Sequence, residues 1–283
     1  MQYFFNEPIV NIACFVSGSG TNYERIYERD KNKKYFVCSN TSYCEGVKKA
    51  RANGHPTMVL DSKLHFIRTL DTENIPRRGA ERESYDVALC TLMEREIGGS
   101  PDLICLAGYD LWISDWMVEK YYPRILNVHP GDTTRGYKGL GWVPSANALL
   151  AGENEIRSTV FFVDKGDDTG PVLLQSKPVS VSRPEWEKGI FEIRDFASKT
   201  NAKNFKDFTV AAENENKNLL AQRLEAISRD LQNNLKEEGD WVIYPFAVHD
   251  LLAKNRVELE DRTVSIDGRP MPEYGYRMDE HDS

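Results

Sequence analysis

An amide and an imidazole stand two residues apart at the end of an apolar run, in Leu126-Asn127-Val128-His129-Pro130. On a β-strand, alternation points Asn127 and His129 to the same side. The carboxyl end of a strand in an open α/β sheet is where ligands bind. An amide donor beside an imidazole can hold a carbonyl oxygen that becomes an oxyanion. A nearby carboxylate would orient the imidazole and stabilise its protonated form. Asp164, Asp167 and Asp168 are the candidates, in an acidic turn that closes on Gly170-Pro171. A lone histidine is more often a hydrogen-bonded core residue. The strand-end Asn-x-His-Pro, taken with the acidic turn downstream, favours chemistry.

Ser17-Gly18-Ser19-Gly20-Thr21-Asn22 follows another apolar run and opens a helical pattern. In that position backbone N–H groups and the helix dipole favour an anion, and glycine lets a phosphate approach the backbone. Gly18, Ser19, Gly20, Thr21 and Asn22 are therefore candidate substrate contacts. The segment is not a dinucleotide fingerprint, because Tyr23 takes the last glycine position, and it is not a P-loop, because no Gly-Lys-Ser/Thr follows. Arg77, Arg78 and Arg82 offer charge to an anionic tail, with solvated arginines as the plainer alternative. The five cysteines form no CxxC pair and no zinc-like spacing, so no metal site is expected.

Those residues need a scaffold. Residues 9–17, 35–39, 56–60, 102–107 and 125–128 read as buried strands. Helical patterns begin at Thr21 or Asn22, cover 45–53 with Gly54 at the C-terminal cap, and cover 82–97. Strands alternating with helices imply parallel βαβ units, hence an α/β fold with a doubly wound, mostly parallel, Rossmann-like sheet. Residues 157–163 and 172–181 predict two further strands around the acidic turn. Beyond Pro184 the chain turns polar, and Leu219, Leu220, Leu224, Ile227, Leu231 and Leu235 recur at near-helical spacing, which predicts one long amphipathic helix. Residues 242–252 predict a second helix, and 256–260 with 263–266 a hairpin. The expected organisation is a catalytic core over 1–184, a helical insertion over 185–240, a C-terminal helix and hairpin completing the core over 241–276, and a disordered tail over 277–283 that includes His281.

With 283 residues, 40% of them hydrophobic, the chain has the length for one large domain or one domain with an appendage. Its net charge of −8 argues against a nucleic-acid partner, which needs clustered Lys and Arg. No apolar run approaches the ~20 residues that span a bilayer, so no membrane partner is expected. MQYFFNEP lacks a basic segment followed by a long apolar stretch, and the scattered, odd cysteine count suits a reducing compartment; both point to the cytoplasm.

The motifs above, with ERESYD at 81–86, DLICLAGY from Asp102 to Tyr109, DDTGPVLLQ at 167–175 and VIYP at 242–245, resemble the folate-dependent formyltransferases. The similarity is greatest to those that act on glycinamide ribonucleotide in purine synthesis, and it covers about residues 9–61, 80–181 and 239–276. The resemblance implies that Asn127, His129 and Asp168 are catalytic, the Asp before the Gly-Pro turn being the one selected. It implies 10-formyltetrahydrofolate as co-substrate, its pteridine against Leu111, Ile113 and the acidic turn with Asp164 and Asp167. It places a phosphate-bearing small-molecule amine at Gly18 to Asn22, with Arg82 near the ligands and Asp240 at a ribose-contact position. The chain departs from the family at Gly131-Asp132-Thr133-Thr134, where Ser-Leu-Leu-Pro is usual, and at Leu111, where an Arg is common. Asp240 stands where the purine enzymes have Glu. Residues 185–238 replace a shorter connection and are read as a lid, a homodimer contact or a partner surface. These departures fall on the amine side, so an amino-sugar nucleotide or a secondary-metabolite amine is the alternative acceptor. Hydrolysis of formyltetrahydrofolate is a further alternative, although family hydrolases usually carry an N-terminal regulatory domain and this chain opens at the first strand. A dinucleotide oxidoreductase would want an acidic residue where Ser39-Asn40 stand.

Overall fold

Short apolar runs alternating with amphipathic helices generate most of the elements, and the computed structural model describes residues 2–4 and 8–280. The chain opens with β1 (Gln2–Phe4), β2 (Asn11–Val16), α1 (Thr21–Arg29), β3 (Lys34–Ser39), α2 (Glu45–Ala52), β4 (Thr57–Val59), α3 (Ser62–Leu70) and α4 (Ala80–Ile97). It continues through β5 (Leu103–Leu106), α5 (Asp115–Tyr121), β6 (Ile125–His129), α6 (Val143–Leu150), β7 (Glu155–Ile156), β8 (Thr159–Phe162), β9 (Val172–Gln175) and β10 (Val179–Ser180). It ends with α7 (Glu187–Thr200), α8 (Phe205–Asn214), α9 (Asn218–Leu235), α10 (Trp241–Phe246), β11 (Val257–Glu260), β12 (Thr263–Ile266), β13 (Arg269–Pro270) and β14 (Tyr276–Arg277). Two compact units result. The first comprises Met1–Val128, Val160–Leu173 and Tyr244–Gly275; the second comprises His129–Thr159, Leu174–Ile243 and Tyr276–Ser283.

In the first unit the strands run in the order β9-β8-β6-β5-β2-β3-β4. The pairs β2–β3, β2–β5, β3–β4 and β5–β6 are parallel, as the βαβ pattern requires. Alternation places Ala13 and Phe15 of β2 on one face with Ile104 and Leu106 of β5, where α4 packs Tyr85, Leu89 and Met93 at four-residue spacing. Ile12, Cys14 and Val16 face the other way and are equally buried, which is why β2 reads as a continuous apolar run. The hairpin β11–β12 forms as expected and extends to the antiparallel order β1-β11-β12-β13. Before α4, Asp61 caps α3 by accepting from Leu64 N at 3.1 Å.

The second unit differs more from expectation. The strand predicted over 157–163 forms as β8, but the one over 172–181 is broken into β9 and β10, because β10 leaves to pair with the short β7, Val179 opposite Ile156. Residues 185–240 hold three helices, not one: α7 and α8 precede α9, and all pack with α6 around Leu149, Ile193, Phe208, Leu224 and Leu231. Leu219 is the exception to the predicted apolar stripe, at 79% exposure. The tail expected to be disordered is ordered through Glu280: Tyr276 and Arg277 pair in parallel with Leu174 and Gln175, and Asp279 binds Arg157 in a bidentate ion pair. His281 lies outside the described residues. The helix predicted over 242–252 begins as α10, which carries Pro245 inside it and is preceded by a wide turn over Lys236–Asp240, and it widens again over Ala247–Leu251. All five cysteines are free and buried, and among the described residues no helix is long and apolar enough to cross a membrane.

Burial also sets a pH response. His249 is 6% exposed, its Nε2 donating to the Ile26 carbonyl at 2.9 Å, and burial holds its pKa below the ordinary histidine range. Burial lowers His55 and His65 in the same direction. A histidine kept neutral by the fold stabilises it above the unfolded-state value of about 6.5 and loses that contribution as pH falls below it. The melting temperature is therefore expected to fall between pH 7.5 and 5.5, and His249→Gln, which keeps an N–H for Ile26, is expected to flatten that slope. An unchanged slope in the variant would remove His249 from the explanation.

Candidate active site

The glycine loop lies between β2 and α1. Gly20 has φ 66°, and a Cβ there would meet Gly46 Cα at 2.3 Å, so glycine is needed both for the backbone and for the close approach of α2. Gly46 N donates to Gly18 O at 2.9 Å. Gly20 caps α1 without a side-chain hydrogen bond, Ser19 and Thr21 hydroxyls lie 3.3 Å apart, and the buried Asn22 Oδ1 meets no hydrogen-bond partner. The backbone N–H groups and the two hydroxyls at this helix start suit an anion, while the Asn22 oxygen needs a donor. The loop is braced by residues not anticipated from sequence: Ser17 Oγ donates to Asn40 Oδ1 (2.6 Å), Asn40 Nδ2 to Asp110 Oδ1 (2.9 Å), and Asp110 N to Ser17 Oγ (2.9 Å). Only the position of Asn40 at the end of a predicted strand hinted at it.

Arg82, expected near the ligands, has a fully buried side chain. Nε donates to the Trp112 carbonyl at 2.6 Å and Nη2 pairs with Asp86 Oδ1 at 2.5 Å, while Asp86 Oδ2 accepts from Ser114 N at 2.6 Å. Arg82 therefore acts on the segment carrying Leu111 and Ile113 by holding its backbone. Leu111 and Ile113 are half-buried against the core of this unit. Asp86 follows Arg82 by four residues on α4, a spacing visible in ERESYD.

Asn127 stands in β6 beside Leu106 of β5, and Tyr244 Oη donates to the neighbouring Leu126 carbonyl at 2.9 Å. Next to β6 in the sheet is β8; Val163 N donates to Ile125 O, so the acidic turn leaves the sheet beside Ile125, two residues before Asn127. A Cβ on Gly170 would lie 1.6 Å from Phe162 O, which makes glycine obligatory where the turn closes. Asp164 is an organiser of the turn. It accepts from Thr169 Oγ1 (2.7 Å), Gly166 N and Arg262 (3.0 Å), and although burial alone would raise its carboxyl pKa, these bonds hold it below the ordinary carboxylate range. Asp167 is about half exposed and paired with Arg78 at 2.8 Å and Arg77 at 3.8 Å, so these arginines are not simply solvated. Asp168 is half-buried with φ 49°, the left-handed region that Asp and Asn tolerate best.

His129 ends β6 and opens the second unit, 4% exposed. Its Nε2 lies 2.9 Å from the Tyr137 carbonyl oxygen. Between them the chain makes a tight loop: Asp132 accepts from Thr134 N and Oγ1 and from Gln175 Nε2, and Thr159 Oγ1 holds the Gly131 carbonyl at 2.8 Å. Asp240 is 3% exposed, in the wide turn before α10. A polar cavity of about 540 Å³ is lined in this unit by Asp132, Arg135, Tyr137, Glu153, Arg157 and Arg277 among others. Its arginines are all engaged, Arg135 by Glu153, Arg157 by Asp279 and Arg277 by Gln175 and Glu280.

A family model described as formyl transferase matches residues 10–187. Among curated relatives, the chain is 31% identical over 173 residues to the phosphoribosylglycinamide formyltransferase of Escherichia coli (strain K12), an alignment covering 59% of this chain and 72% of that protein. It is 30% identical over 175 residues, 59% of its length, to a trifunctional purine biosynthetic protein, adenosine-3, of Chironomus tentans, and the match takes in only 11% of that longer relative. Among solved structures, the phosphoribosylglycinamide formyltransferase of Coxiella burnetii superposes with a TM-score of 0.64 at 21% identity, over 96% of this chain and 99% of that one, a likeness of fold.

Proposed function

The chain belongs to the formyl transferase family, and from that premise we propose that it moves the formyl group of 10-formyltetrahydrofolate onto a primary amine. Glycinamide ribonucleotide is the first acceptor to try. The observation that carries the proposal is the pair Asn127 and His129 at the end of β6, inside the family-matched span. The half-buried Leu111 and Ile113, on a backbone clamped by Arg82 and Asp86, suit the flat face of a pteridine.

The folate supplies an activated formyl group. Asn127 and protonated His129 donate to the formyl oxygen as the amine attacks and negative charge grows there. Asp168 supports the imidazolium and, through water, helps move the proton from the attacking amine to the folate nitrogen. The glycine loop, with its start-of-helix N–H groups, holds the phosphate of the acceptor. Gly131 to Thr134 and the three helices α7 to α9 keep a second reading open, in which the acceptor is a different amine, such as an amino-sugar nucleotide.

Mixing the protein with 10-formyltetrahydrofolate and following deformylation by absorbance tests the proposal. Release dependent on glycinamide ribonucleotide is the expected result. Folate binding without turnover sends the acceptor search to other amines, turnover without any amine makes the protein a hydrolase, and absence of folate binding overturns the reading.

A further inference from the structure

A carbonyl oxygen can only accept, so the 2.9 Å contact between His129 Nε2 and the Tyr137 carbonyl assigns a proton to Nε2. In the neutral ring Nδ1 is then the acceptor nitrogen. The Tyr137 carbonyl is itself held from several sides. Tyr137 N donates to Asp132 O, and Tyr137 Oη donates to Glu153 Oε1 at 2.6 Å. Burial, and then Glu153, push the tyrosine hydroxyl up to about 12, so it remains a donor near neutrality. Arg135 binds both oxygens of the same carboxylate, at 2.5 and 2.6 Å. Arg194 of α7 donates to the Glu153 and Leu149 carbonyls, at 2.5 and 3.1 Å, fixing the backbone from which Glu153 projects. Gly131 completes the arrangement: a Cβ there would meet Tyr137 O at 2.7 Å, Pro144 Cβ at 3.0 Å and His129 Nε2 at 3.2 Å.

We propose that Gly131, Tyr137 and Glu153, braced by Arg194 of the helical segment, are positioning residues that fix the His129 ring with Nε2 as donor and present Nδ1 for the proton and oxyanion chemistry. The kinetic part rests on the formyl-transfer reading; the orientation of the ring does not. The proposal also gives α7 a task, since it supports the loop that holds the imidazole. Gly131 matters because only a residue without a Cβ lets the carbonyl and the ring meet beneath it.

The test combines ¹⁵N NMR of the histidine side chains, with His129 identified by the signal lost in His129→Asn, and kinetics of two variants. The neutral wild-type ring is expected to show the Nε2–H tautomer. Gly131→Ala, displacing carbonyl and ring by a few tenths of an ångström or more, is expected to lower kcat about tenfold or more while folate KM stays within about twofold. Tyr137→Phe leaves the backbone carbonyl in place and is expected to lower kcat by a smaller factor, about threefold, with a mixed tautomer signal. An Nδ1–H tautomer in the wild type overturns the proposal, as does a Gly131→Ala protein with wild-type kcat and spectrum. If Gly131→Ala does not fold, Tyr137→Phe and the wild-type spectrum decide. If no amine is formylated, the function reading fails while the tautomer still tests the anchor.

Discussion

Asn127→Ala is expected to lower kcat for formyl transfer by about a hundredfold or more, the effect of removing one oxyanion donor worth about 3 kcal/mol. Folate KM should move little, because the lost bond is one made to charge that develops only during attack. The fold should tolerate the change. Asn127 is half-buried, β6 is held by its parallel register with β5, and Tyr244 anchors the adjacent carbonyl, all through backbone groups that the substitution spares. Asp168→Asn offers an independent measure of the same chemistry. Asn accepts the left-handed conformation found at φ 49°, so the turn should persist, while the negative charge proposed to support the imidazolium disappears. A fall in kcat of about 10²–10⁴ is expected if the carboxylate takes part in proton movement. Near-normal turnover in either variant, with an intact melting temperature, would remove that residue from the chemistry and force a search for another donor or base.

The parts legible in the sequence are those with a local cause. The strand β2 and the glycine loop after it follow from an apolar run ending in Gly18-Ser19-Gly20, and α2 from its pattern and the glycine that ends it. Asn127 and His129 were visible because a two-residue spacing on a strand has one geometric meaning. What escaped is tertiary. Nothing local marks Arg82 as fully buried; a charged residue on a helix is normally solvated, and only Asp86 one turn on and the loop carbonyl of Trp112 make its burial tolerable. Glu153 lies 16 residues beyond Tyr137, with a helix between, so no periodicity connects it to His129. Its polar composition makes the tail look disordered, yet Arg157 pairs with Asp279, 122 residues on and just past β14. The single predicted helix over 219–235 was real, but α7 and α8 before it were masked by polar composition, and their apolar residues make sense only against α6.

Arg82→Met is expected to destabilise the protein by about 3–5 kcal/mol, the cost of leaving a buried partner charge uncompensated. Both side chains of the pair are at most 1% exposed, so water cannot take over from the guanidinium. Burial already pushes the Asp86 carboxyl above its ordinary range, against the opposing pull of Arg82 and of the Ser114 N–H. Without Arg82 the carboxyl is raised further and can escape by taking a proton. A group raised in the folded state contributes most below its unfolded-state pKa of about 3.9 and progressively less as pH rises toward the folded value. The loss caused by Arg82→Met should therefore be smaller at pH 5 than at pH 8, the two being compared by denaturant midpoints. Replacing both residues, Arg82→Met with Asp86→Leu, should recover a large part of the stability, because an apolar pair of similar volume often equals a buried ion pair. It should not recover folate affinity, since Trp112 O lacks its anchor in both variants and Ser114 N loses its own in the double one. A rise in folate KM shared by the single and double variants, beside a stability loss confined to the single, would separate the two tasks of Arg82: neutralising Asp86 and holding the segment that carries Leu111 and Ile113. Equal stability of all three proteins would mean that the carboxyl is neutral throughout, and that Arg82 serves only the loop.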